Sequence, residues 1–127
     1  LDAYVNLSGH HTFRLPDVAG PYPPFNIPAS RFLRPWSRKT AIGEELRLRR
    51  IEAGMTHAAR HGEVFHLWWH PENFGANLPQ NMANLTRLAR HFDRLRAAHG
   101  FESATMGELA DRLLATAPAS PLFRSAS

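Results

Sequence analysis

Between residues 57 and 70 the chain carries His57, His61, His66, Trp68, Trp69 and His70. Imidazole titrates near neutral pH, so histidines can move protons or bind zinc, and indole rings can stack on flat ligands. The stretch from Val64 to Gly75, VFHLWWHPENFG, reads as a short apolar strand over 63–69 that ends at Pro71 and runs into a loop. Side chains alternate along a strand, so Val64, His66, Trp68 and His70 share one face. Phe65, Leu67 and Trp69 share the other, and being wholly apolar that face suits covering helices. A strand apolar on both faces is the pattern of a buried parallel strand. Functional sites in parallel α/β folds gather at the C-terminal ends of strands, where His70 stands. Spacing alone leaves His70 two roles: a general acid or base, or a structural histidine bonded to the loop. His66, one strand period deeper, reads as a satisfied core histidine, and Trp69 as core.

His57 and His61 are spaced i, i+4, a spacing that can bind zinc on a helix. Their phase, however, lies well over 100° from the stripe Leu48, Ile51, Met55 and Ala58. Both are expected to face solvent and to bind no metal. His91 and His99 read as surface. Pattern does not place His10 and His11.

The elements that would position these residues follow from periodicity. A helix over 40–61 carries the stripe Leu48, Ile51, Met55, Ala58 and Ala59, and Gly62 ends it. A second helix, 78–99, has Pro79 in its first turn and Gly100 beyond its last, with Met82, Leu85, Leu88, Phe92 and Leu95 as its buried face. Residues 101–104 read as a short extended link, and Thr105 with Glu108 as a capping box before a third helix, 106–115. Residues 16–37 are proline-rich and read as a loop packed over the fold, because proline forbids a helix and disfavours a central strand. Residues 116–127 read as a disordered tail. The order helix, strand, helix, short strand, helix predicts an α/β fold with parallel strands.

Of the 127 residues, 43% are hydrophobic and 20% charged, a globular balance. No apolar run approaches the length of a membrane span, and no signal-peptide pattern opens the chain, which favours a cytoplasmic location. Cysteine is absent, which excludes disulfides and cysteine-based zinc sites and suits cytoplasm and periplasm alike. The net charge is +4, with arginine the main cation. Acids alternate with arginines along the helices, the pattern of a solvated surface rather than a nucleic-acid footprint.

The stretches RLRRIEAGMTHAARHGEVFHLWWHPENFG and NLTRLARHFDRLRAAHGFESATMGELADRL resemble the C-terminal region of bacterial polysaccharide deacetylases, the family four carbohydrate esterases. NIPASRFLRP and NLSGHHTF resemble the upstream part of one branch of that family. The resemblance covers residues 1–115 and implies the C-terminal portion of a distorted (β/α) barrel. It also implies metal-dependent hydrolysis of an N-acetyl group, with a divalent metal, zinc by expectation. In the family an Asp and two His bind the metal, and a second Asp is the base, all in N-terminal motifs. A later Leu-x-His motif supplies the general acid, and Trp68-x-His70 matches it, with Trp68 where the family has Leu. His70 would then protonate the leaving amine, and Trp68, Trp36 and Asn73 would stand on the substrate side. Trp36 has a second reading, as packing for its own loop. Glu72 stands where the branch carries His. His57-x-x-x-His61 and Arg31-Phe-Leu-Arg-Pro-Trp36 imitate family motifs but lie too close to His70 in the chain.

The implied function is N-deacetylation of sugar polymers, lipid-linked sugars or nucleotide-linked sugars, the missing N-terminal half supplying metal and base. This segment alone is then expected to be inactive. Two other readings belong to different classes: a small basic binding module using the arginine-rich helix, and a non-catalytic packing fragment.

Overall fold

A computed structural model describes residues 2–18 and 20–116. The ordered elements are α1 (Leu15–Val18), β1 (Arg31–Phe32), a 3-10 helix (Arg38–Gly43), α2 (Glu44–His61), β2 (Leu67–Trp68), a second 3-10 helix (Pro71–Asn77), α3 (Leu78–His99) and α4 (Met106–Thr116). Helix dominates, and the sheet has two strands among the described residues.

α3 spans the expected 78–99, whereas α2 ends as expected at His61 but starts at Glu44, residues 40–43 lying in the 3-10 helix before it. Leu48, Ile51, Met55 and Ala58 on α2 are buried, as are Leu88 and Leu95 on α3. Together with Leu33 and Phe74 they make the core, with Phe65, Leu67 and Trp69 packed against it. Gly62 and Gly100 close the helices in the left-handed conformation, at φ 65° and 66°, which L side chains rarely adopt. Met82 departs from the expected buried face and is exposed, because in the first turns of α3 the neighbouring Asn81, 2% exposed, is the side chain that faces inward. Gly54 marks a close approach: a Cβ there would meet the Phe65 ring at 2.6 Å. The expected capping box forms, with the Thr105 amide donating to Glu108 at 2.6 Å and the Glu108 amide donating to the Thr105 hydroxyl at 3.2 Å.

The expected strand over 63–69 has a parallel partner over two residues only. β1 and β2 run parallel, with Arg31 opposite Leu67 and Phe32 opposite Trp68. Leu33 N–H extends the ladder to Trp68 C=O at 2.9 Å. β1 occupies the gap between Pro28 and Pro35, inside the stretch expected to be loop. Proline has no N–H to donate, so the ladder cannot run far in either direction. Upstream, Val64 instead bridges Phe13 in antiparallel fashion. α2 thus connects two parallel strands, one β–α–β crossover. Residues 101–104 pair with no strand among the described residues; Phe101 packs on Phe92 with ring centroids 5.9 Å apart. Of the expected disordered tail, Thr116 is the last residue of α4, and 117–127 lie outside the described residues.

Candidate active site

β1 and β2 bring three rings together at their C-terminal ends. Phe32 and Trp68 face each other across the ladder with centroids 4.5 Å apart. The His70 ring stands edge-on to Trp68 at 5.2 Å and to Phe32 at 5.9 Å. All three are exposed, Phe32 at 37% and Trp68 at 39%. Alternation places Trp68 and His70 on the face away from the core, while Phe65, Leu67 and Trp69 pack against the helices. His70 Nδ1 lies 3.5 Å from Glu72 Oε1, so protonated His70 has a carboxylate beside it. An exposed imidazole with a carboxylate neighbour and aromatic walls can give a proton to a bound group while holding its apolar surface.

The other expected substrate-side residues fall into two cases. Asn73 is beside the cluster through its backbone, its amide donating to His70 C=O at 3.1 Å, and it is exposed. Trp36 is half-buried and makes no ring contact with Trp68 or His70 among the described residues. Its backbone is held from α3 and the turn before it: Trp36 N–H donates to Asn81 Oδ1 at 2.7 Å, and Asn77 Nδ2 donates to Trp36 C=O at 3.2 Å. Phe32 was not among the expected site residues. The signal for it was the proline-free gap between Pro28 and Pro35, where a strand could form.

His66 is satisfied, its Nδ1 donating to Pro28 C=O at 3.0 Å, although it is half-buried rather than fully buried. A cavity of about 820 Å³ lies on the helix-facing side of β2 and is walled by Leu67, Trp69, Leu88, Phe92 and Phe101. Phe32, Trp68 and His70 do not line it.

The remaining histidines correct the expectations in part. His61 is exposed, but His57 is half-buried, stacked between His10 at 4.8 Å and His61 at 4.1 Å. Arg50, His57 and His61 share a face of α2 at spacings of seven and four, and residues 2–13 lie against that face through Arg50. Arg50 donates to Asn6 Oδ1 at 2.8 Å and, with the shortest contact, to Gly9 C=O; His10 Nδ1 accepts from it at 3.0 Å. Burial, then the Arg50 charge, hold the His10 pKa below its ordinary value. His91, expected at the surface, is half-buried between α2 and α3, bonded to Thr56 Oγ1 at 2.9 Å and to Glu52 C=O at 3.1 Å. Among the described residues no group of three or more His, Asp or Glu side chains could hold a metal ion. The metal implied by the resemblance therefore finds no ligand set in the described residues.

The arginines are not uniformly solvated, contrary to the charge-pattern reading. Arg47 and Arg50 are buried. Arg87 on α3 bonds Glu45 and Glu52 on α2, holding Glu45 down to about 2 and lowering Glu52. Asp2, bonded by Arg31 and by the Ser8 amide, sits well below the carboxylate range. Tertiary pairing, invisible in the spacing, decides which cations leave water. No helix among the described residues is long and apolar enough to cross a membrane. Comparison with protein-family models, with curated proteins and with solved structures returns no match to this chain.

Proposed function

We propose that this chain is the C-terminal part of a metal-dependent N-deacetylase acting on N-acetylated sugars, in which His70 protonates the leaving amine. The observation that carries the reading is the placement of His70: an exposed imidazole just past the end of β2, edge-on to Trp68 and Phe32. The β–α–β crossover from β1 through α2 to β2 is the repeating unit of a (β/α) barrel, and the ends of such strands are where ligands gather. In this reading the amide C–N bond breaks, the nitrogen takes a proton from His70 imidazolium, and water supplies the oxygen of the acetate. An amine leaves poorly as an anion, so this proton has high leverage on rate. Trp68 and Phe32 offer apolar faces to a pyranose ring; Asn73 and Trp36 are further candidates at the rim. The reading requires the metal ligands and the general base to come from residues outside this sequence.

The binding-module alternative has less support. Arg87 and Arg49 are paired with Glu45 and Glu52, and Arg47 and Arg50 are buried, so few guanidiniums on α2 are free to meet phosphates of a nucleic acid. The test uses the full-length gene product and acetate release from N-acetylglucosamine oligomers. His70→Ala is expected to lower kcat by roughly 10²–10⁴ with unchanged metal content, while KM moves little. Near-wild-type turnover in the folded, metal-loaded variant would refute the role of His70. Absence of acetate release by the wild-type protein would count against the deacetylase reading itself.

A further inference from the structure

Arg31, Arg34, Arg47 and Arg50 converge on one cavity of about 260 Å³, floored by Ile51 and bordered by Phe32. Three of these side chains are nearly withdrawn from water: 14% exposed for Arg31 and 4% each for Arg47 and Arg50. Arg34 is half-buried and gives one donor to Tyr4 Oη at 2.7 Å. Two carboxylates oppose them. Asp2 bonds Arg31 at 2.8 Å and lies 3.6 Å from Arg50, and Glu44 takes Arg47 in a two-pronged bond. Four guanidiniums against two carboxylates leave an excess of two positive charges around a small space.

Arg50 spends its N–H groups on Asp2 C=O, Asn6, Gly9 and His10. Arg31 Nε, Arg34 Nε and Arg47 Nη1, by contrast, are buried and find no acceptor among the described residues. Buried charged donors are almost always satisfied, because leaving one unpaired forfeits the water it gave up. All three belong to residues that line the same cavity. Burial, then the neighbouring Arg31 charge, depress the Arg50 pKa, as expected of like charges crowded without enough counter-charge.

We propose that this cavity binds a phosphoryl group. A phosphate dianion matches the excess of two charges, and three of the four arginines that line the cavity are the residues that carry the three unpaired donors. Arginine is the side chain whose planar fork suits tetrahedral oxyanions best. Phe32 borders both this cavity and the ring cluster with Trp68 and His70, so the remainder of a phosphorylated ligand can cross Phe32 toward His70. The phosphoryl site stands on the arginine geometry and does not depend on the deacetylase reading.

The experiment titrates the full-length protein with inorganic phosphate, following the thermal midpoint against sodium chloride at matched ionic strength. Phosphate is expected to raise the midpoint with saturation, as a native-state ligand does. Arg34→Met, which keeps the aliphatic stem, should weaken phosphate binding at least 10-fold. Arg34→Lys should bind between the two, since it keeps the charge but loses the fork. Lys39→Met, at an exposed neighbouring position, should bind as wild type. N-acetylglucosamine 1-phosphate in a parallel arm separates sources. Tighter binding than phosphate marks a sugar-borne group, equal binding marks free phosphate, and both support the site. No midpoint rise beyond that of chloride in the wild type, or unweakened binding by folded Arg34→Met, overturns it.

Discussion

Asn81→Ala should be among the more damaging single changes in this chain, although nothing in the sequence pattern singles Asn81 out. Asn81 is 2% exposed, on the first turns of α3. Its Oδ1 accepts from Trp36 N–H at 2.7 Å and its Nδ2 donates to Phe74 C=O at 3.1 Å. It thereby ties the loop after β1 to the turn after β2, the two segments that leave the ring cluster. Truncation removes two hydrogen bonds, each contributing about 1 kcal/mol net, and strands an amide and a carbonyl. If water reaches one of the two stranded groups and not the other, the total is about 3 kcal/mol. For a chain of this size that is roughly a 10 °C fall in Tm. The assay is urea unfolding of wild type, Asn81→Ala and the exposed control Gln80→Ala, with the m-value checked for constancy. Gln80→Ala should stay within about 0.5 kcal/mol of wild type. A loss below about 1 kcal/mol in Asn81→Ala would show that the two bonds do not act as the tie described.

Gly54→Ala should destabilise by about 1–3 kcal/mol, since its Cβ would meet the Phe65 ring at 2.6 Å; equal stability in urea would mean that the strand segment yields without strain. The folded His10 pKa is lowered, so the unfolded chain binds more protons as pH falls below about 6.5, and stability must decline from there downward. Thermal melts from pH 7.5 to 5 should show that decline, and His10→Asn should flatten part of it; an unchanged slope would remove His10 as a source. Thr105→Ala should cost about 1 kcal/mol by deleting one half of the capping box, read by urea unfolding against Ser103→Ala as an exposed comparison. His57→Ala combined with His61→Ala should leave the metal content of the full-length protein unchanged by elemental analysis, and a large loss would mean that the stacked rings rearrange to bind metal.

What could be read from sequence divides by range. α2 and α3 declare themselves because a 3.6-residue apolar stripe and a terminal glycine are local facts, and their ends at Gly62 and Gly100 fall where expected. The face shared by Trp68 and His70 is equally local, a matter of strand parity. Phe32 is different: its place in the cluster depends on β1 finding β2 across the whole of α2, and the prolines around it hide the strand. The arginines show the same limit. Alternating acids and arginines look identical whether the charges sit in water, as Arg49 does, or are folded into a cavity, as Arg47 and Arg50 are. His57 was misplaced because α2 alone gives its phase but not that residues 2–13 cover that flank.

The slender anchorage of α4 sets an order of events under native conditions. Leu113 is the single buried residue of its eleven, and the element it packs against, α1, has none buried. Detaching the helix exposes Leu113 and the half-buried Leu109 and Ala110, a cost of roughly 3 kcal/mol, whereas opening α2 uncovers much of the shared core. Its amides should therefore exchange with deuterium through local detachment, fast and insensitive to low denaturant, while those buried on α2 wait for the whole chain to unfold. A protease arriving at this molecule would meet α4 open long before it met anything that holds His70.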